Sequence, residues 1–469
     1  MRFFEPLIRY AKKGTDVSSD SGRLSPRLGL LSITVFGLAY MAPATVVTIF
    51  GVISAASHGT APMAFFIATV AMTLTALSYG KLARRFPTSG SVYTYARRTL
   101  GPRSGFLAGW VLLLDYFFLP MVAWLIQATY MHAQLTFLPM WGWLVAVIVA
   151  TTLVNALGIV IADQVNKVLL GLTALGLLAL VTACLLQLDE ASSGAGSRAL
   201  WNEASSLSTS AAAAAVAAYA FLGFDALSTL GEEAREPRRD IPRGIVLTVL
   251  VGGAVFCAVS LLMQWLHPGG EFENEDAGGY EVVATVGPTY LADLVSAVII
   301  VGGLASCVAI QAGTSRLLYA MGRDGVLPHR VFGYLHPRLH TPLFNLGLVM
   351  AVGLFAVLLS LTTAASFINF GAFLAFTLVN VCVIATWWHN YREGTKTAFT
   401  HLVLPLAGAV VDLYLLSRLN QTALLLGISW LVLGLVYLCV LTRGLRVDPP
   451  ELTSEKQNAG SRGGVKRPS

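Results

Sequence analysis

Apolar runs of about 20 residues follow one another from Leu31 to Leu441, parted by short polar interruptions; a helix of that length crosses ~30 Å of hydrocarbon while pairing its own backbone polar groups. The pattern predicts twelve helical spans, near residues 31–57, 62–83, 104–133, 139–161, 164–188, 209–231, 243–266, 288–320, 343–361, 364–388, 400–418 and 422–442. An even number of spans puts both termini on one side of the bilayer. The first 28 residues are polar and basic and lack an apolar core followed by a small-residue cleavage site, so no cleaved signal peptide is expected. The tail after Arg446 reads as disordered.

Composition agrees with an all-α membrane protein. Hydrophobic residues make up 55% of the 469-residue chain and charged residues 12%, where an ordinary soluble protein carries about 25% charged residues. Of 31 lysines and arginines, 29 fall at the N-terminus, in the tail and in alternate loops, and only Arg198 and Arg418 lie opposite. The opposite loops instead hold Asp189, Glu190, Glu203, Glu271, Glu273, Glu275, Asp276 and Glu281. Basic loops stay in the cytoplasm as helices insert, so both termini are expected there, in a multi-pass protein of the plasma membrane. The net charge of +6 is thus a topology signal, and nucleic acid is not an expected partner. Cys184, Cys257, Cys307, Cys382 and Cys439 all lie in apolar runs, which predicts buried packing and no disulfides. The chain has no HExxH and no GxSxG, and its eight histidines scatter mainly near span ends, so neither an enzyme nor a metal or other cofactor is expected.

Two spans carry break signals. The first places Pro43 mid-span within Gly37-Leu38-Ala39-Tyr40-Met41-Ala42-Pro43-Ala44-Thr45, and the sixth places Gly223 beside an acid within Tyr219-Ala220-Phe221-Leu222-Gly223-Phe224-Asp225. Irregular backbone at mid-membrane depth persists only where it lines protein or a wet cavity. Breaks five spans apart fit a five-plus-five inverted repeat holding a solute between its halves; two ordinary kinks are the alternative. Asp225 favours the first, because an acid in hydrocarbon is costly and should face a polar cavity.

The run from Leu77 to Tyr95 (LSYGKLARRFPTSGSVYTY), followed by Gly105-Phe106 and Gly109-Trp110, resembles the amino acid-polyamine-organocation (APC) transporters. So do Phe221–Pro242, Ser315–Pro328 and Ile368–Asn380. Within that superfamily GLAYMAPATVV, LLLDYFFLPM and RVFGYLHPRLHTP are similar to bacterial putrescine importers. The resemblance implies an APC/leucine-transporter-like fold: a cytoplasmic segment 1–28, a first repeat 29–200, a second repeat 201–390, two further helices in 391–445 and a cytoplasmic tail 446–469, with discontinuous first and sixth helices. It further implies a secondary active transporter of the bacterial inner membrane, importing putrescine or a related polyamine by alternating access with H+ or Na+ as coupling ion. An amino-acid/proton symporter or amino-acid/amine exchanger is the alternative, and a homodimer within the lipid stays open.

Relatives that carry amino acids usually have a Gly-Ser/Thr-Gly break in the first helix, whose N–H groups hold the substrate carboxylate. Here Met41-Ala42-Pro43 stands in that place, and proline has no N–H to donate. An amine without a carboxylate fits better, with Asp225 as first candidate ligand; a structural cap is its alternative. Asp115, in the third span, is a second amine ligand, a proton carrier or a packing residue. Tyr40, Tyr79, Tyr116, Tyr219, Phe221 and Phe224 are candidate aromatic walls for an ammonium, with Ala42, Pro43 and Gly223 supplying backbone. The resemblance puts a gating aromatic on Tyr219 or Phe221. It also places Thr173 where some proton-coupled relatives have a lysine; Thr173 with Ser306 offers oxygens to sodium, or each hydroxyl bonds its own helix. Glu281 resembles a glutamate of the importer pattern, and Glu232 with Glu233 can pair with the basic loops as an inner gate or a simple anchor.

Overall fold

The computed structural model describes residues 28–87, 92–157, 159–191, 196–232, 234–285, 289–323, 327–336, 341–390 and 398–449. Helix α1 (Leu30–Met41) stops where Ala42 turns left-handed, φ 47°, and Pro43 withdraws its N–H. The chain resumes as two short pieces, α2 (Thr45–Thr48) and α3 (Phe50–Ala56). Three unbroken stretches follow: α4 (Ala61–Arg85), the amphipathic α5 (Val92–Leu100) and α6 (Pro102–Gln134). Next come α7 (Met140–Leu157) and α8 (Ile159–Ala191).

The second break is longer. A capping box between Ser206 and Thr209 opens α9 (Leu207–Ala217), which tightens into a 3-10 turn over Ala218–Phe221, leaves helical geometry, and re-forms as a 3-10 stretch from Asp225 to Glu232. Beyond it lie α10 (Pro237–Leu266), α11 (Gly278–Thr285), α12 (Thr289–Arg323), α13 (His329–Phe332), α14 (Leu343–Leu354) and α15 (Leu361–Asn390). A π turn over Phe399–Val403 leads into α16 (Leu404–Ser417), and α17 (Gln421–Leu441) follows.

Among the described residues, seven helical stretches are long and apolar enough to cross a membrane: Ala61–Arg85, Pro102–Gln134, Leu207–Gly231, Pro237–Leu266, Leu361–Trp388, Phe399–Ser417 and Gln421–Leu441. Four shorter apolar helices lie within other predicted spans, and the first predicted span is the one built in pieces. Some boundaries move: the seventh begins at Pro237 rather than 243, since a proline is tolerated in a first helical turn and the basic residues after it face water. The ninth ends in a 3-10 turn at Leu358 and α15 starts at Leu361.

Helix α10 packs along α4 and α1, and α9 packs on α4, while α6 gathers α7, α12, α14 and α15 around it and α8 lies on α12. Close crossings use residues without side chains, as expected where lipid offers no hydrophobic drive and helices must meet by shape. Gly37 and Gly252 meet Thr248 and Met41 across the α1–α10 seam, and Gly253 meets Thr69 of α4. Polar groups add to the joints: Gln127 Nε2 donates to the Ile300 carbonyl at 2.8 Å, and Asn155 Nδ2 donates to Gln311 Oε1 at 2.9 Å.

Candidate functional site

The two breaks meet. Gly223 has φ 107°, a conformation suited to glycine, and the ring of Tyr40 lies against its Cα where a Cβ would project. Contact between residues of α1 and the α9 break thus runs through bare backbone. Ala42 and Pro43 flank it half-buried, and Tyr40 is 37% exposed among otherwise buried partners.

Two carboxylates face this junction. Asp225 is 7% exposed and lies beside backbone N–H groups at the start of its own 3-10 turn, including that of Ala226. Asp115 comes from α6, is 6% exposed, and its Oδ1 has no hydrogen-bond partner. The two acids lie close enough to act on one another's charge, and both act on Tyr40, Tyr79 and Tyr116. Among the described residues no lysine or arginine faces either carboxylate. Buried charge without a counter-ion is costly, so such a pair is suited to a cation that arrives and leaves.

The aromatic candidates divide. Tyr40 and Tyr116 face each other beside the acids, and Tyr219, 8% exposed, sits near Asp115 and Cys307. Tyr79 is fully buried, edge-on to Phe224 at 5.6 Å and to Phe376 at 6.1 Å, with its hydroxyl unpartnered. Phe221 turns the other way. It is fully buried edge-on to Phe256, 5.1 Å between ring centres, which puts it in the packing between α9 and α10.

Thr173 and Ser306 converge on one turn of α12: the Thr173 side chain packs on Gly302, and Ser306 Oγ donates to the Gly302 carbonyl at 3.4 Å. Glu281 lies in the first turn of α11, where its oxygens accept from the N–H of Glu273 at 3.2 Å and of Asn274 at 2.9 Å. Nearby, burial pushes the Asp276 carboxyl up from its ordinary value, against a bond from the Leu361 N–H, with the Glu275 charge adding to the rise. Glu233 and the side chain of Glu232 lie outside the described residues.

Several residues at the site gave no signal in the sequence. Tyr130 OH donates to the Val47 carbonyl at 2.9 Å, closing α6 onto α2, and Gly279 of α11 presses on the same carbonyl. Thr314 Oγ1 donates to the Tyr116 carbonyl at 2.6 Å and ties α12 to the wall of the junction. Tyr130 and Thr314 are ordinary residues in apolar runs. Only the approach of a second helix gives each a role.

Two interrupted helices meeting over buried acids, inside a bundle of apolar helices, define a membrane solute carrier. Residues 32–440 match the amino acid permease family model, and the chain belongs to that family. It is 36% identical over 446 residues to the low-affinity putrescine importer PlaP of Escherichia coli K12, covering 93% of this chain and 98% of that one. It is 28% identical over 447 residues to a methylthioribose transporter of Bacillus subtilis, covering 89% of this chain and 94% of the relative. The branched-chain amino acid permease BcaP of Bacillus subtilis is 25% identical over 450 residues, covering 90% and 94%. The family and these relatives are transporters, so the chain is a permease and not an enzyme.

Proposed function

We propose that this permease imports a small organic cation, putrescine or a related diamine, across the bacterial inner membrane by alternating access. The observation that carries the reading is the pair Asp115 and Asp225, buried without a cationic partner beside a break whose proline cannot donate. An ammonium could donate to the unpartnered Asp115 Oδ1 and stack on the rings of Tyr40 and Tyr116. The importer PlaP, similar over nearly the full chain, supports the same cargo.

The wider reading comprises twelve spans with cytoplasmic termini and a five-plus-five inverted repeat. The packing of α1, α4, α9 and α10 in one group and α6, α7, α12 and α14 in another supports two bodies that rock against each other. Leu31, Val35, Phe36 and Tyr40 of α1 are exposed, while Tyr130, Val47 and Gly279 pack tightly at the other end of the first span. Either acid is a candidate carrier of a coupled proton, and the Thr173–Ser306 turn is the candidate for sodium.

Putrescine and ornithine separate the cargo classes, since ornithine is putrescine plus a carboxylate. Burying that carboxylate without matched donors costs about 1–3 kcal/mol, or roughly five- to 150-fold in affinity. In proteoliposomes, unlabelled putrescine should therefore compete with labelled putrescine at least about fivefold better than ornithine. Equal or better competition by ornithine would overturn the diamine assignment and favour the amino-acid symporter or exchanger that the match to BcaP supports.

A further inference from the structure

Away from the junction, where the end of α4 diverges from α10, α15 and the π turn before α16, the surface opens into a cavity of about 1010 Å³. Its charge is one-sided. Lys81, Arg84 and Arg85 enter from α4 and Arg243 from α10, and among the described residues no carboxylate lines it. Among the described residues neither Arg84 nor Arg243 forms an ion pair. Lys81 Nζ donates to the Thr400 carbonyl, joining α4 to the π turn, and the Arg85 guanidinium lies 5.6 Å from the Phe86 ring centre.

The remaining wall is largely apolar and includes Leu77 of α4 and Val246 of α10. A small soluble anion has no use for such a wall. An amphiphile does: its phosphate meets the cations and its acyl chain runs along the apolar helices. The depth agrees, because Trp388 at 76% exposure and Phe399 at 62% stand at this same end of α15 and of the π turn, as aromatic residues do at a headgroup level.

We infer that this cavity is a binding site for an anionic phospholipid, with Arg84 and Arg243 holding the phosphate and Leu77 and Val246 bedding an acyl chain. Basic pockets between membrane helices take anionic headgroups on these grounds. The inference goes beyond the cargo assignment and holds for either orientation in the bilayer.

The test uses the full chain, purified in detergent and offered phosphatidylglycerol or phosphatidylcholine with the same acyl chains, with retained lipid counted by native mass spectrometry. The wild type should keep phosphatidylglycerol in preference. Arg84→Gln and Arg243→Gln should each lower that retention about fivefold, whereas Arg330→Gln, an exposed arginine outside the cavity, should leave it unchanged. All three replace exposed side chains, and an unchanged melting profile in phosphatidylcholine identifies folded variants. Equal retention of the two lipids by the wild type, or an equal loss in Arg330→Gln, would overturn the site. So would displacement of phosphatidylglycerol by glycerol phosphate at matching concentration, which would mark a free-anion site instead.

Discussion

At the residue scale the junction rests on two backbone conformations that differ in cost. Gly223 is unstrained at φ 107° because it has no Cβ, and Tyr40 occupies the space a Cβ would need. Gly223→Ala therefore incurs backbone strain of about 1–3 kcal/mol in addition to the clash, and should lower both thermal stability and putrescine uptake. A variant with wild-type values for both would show that Tyr40 does not rest there. Ala42 runs the argument in reverse. At φ 47° it bears about 1–2 kcal/mol of left-handed strain, while a glycine costs ~0.4–1 kcal/mol through the freer unfolded chain. Ala42→Gly should thus raise stability slightly, and a clear fall in melting temperature would contradict the strain. Asp412 gives a third case: one of its oxygens accepts from Thr75 Oγ1 at 2.9 Å and Asn380 Nδ2 at 3.1 Å, fully buried between α4, α15 and α16. Thr75→Val removes a donor from that acid and should destabilise by about 1–3 kcal/mol.

At the element scale the end of the bundle at α11 is closed by small contacts between short pieces. Helix α11 reaches α2 and α3 so closely that Gly51 meets Gly278 and Gly279 meets Val47. Ser54 Oγ donates to Gln264 Oε1 at 2.8 Å, and Tyr130 OH donates to the Val47 carbonyl at the end of α2. Short helices hold little stability of their own, so α2 and α3 are ordered by these neighbours. Tyr130→Phe keeps the ring and loses the bond, about 0.5–1.5 kcal/mol. The expected outcome is faster amide exchange over residues 45–56, with α4 unchanged; identical exchange would assign the seal to α11 alone.

At the scale of the molecule the two packed groups and the basic loops make one prediction together. If the proposed orientation holds, single cysteines introduced in 84–103 and 322–340 should react with an impermeant reagent only from the cytoplasm, and those in 191–205 and 270–278 only from outside. Reversal of either pair would sink the orientation. Coupling is tested on the same preparation. Uptake that depends on an inward proton gradient in the wild type should lose that dependence in Asp115→Asn or in Asp225→Asn if that acid carries the proton. Full dependence in both variants would remove the two aspartates from the role.

The all-helical membrane class, the approximate bounds of most spans and both break positions were legible in the amino-acid order, because hydrophobic run length, proline at 43 and glycine beside Asp225 act locally. The resemblance that named the family rested on local blocks as well. What faces what was not legible. Asp115 and Asp225 lie 110 positions apart, and their approach depends on how α6 packs against the broken sixth span. Phe221 and Tyr219 are two residues apart on a tightening turn, yet one points into the packing with Phe256 and the other toward Asp115. The basic residues at the end of α4 read as a topology signal, and their place around a cavity with Arg243 emerged only once α10 lay along α4. Local chemistry determined where the backbone must break; long-range packing alone decided which charges, rings and carbonyls the breaks would meet.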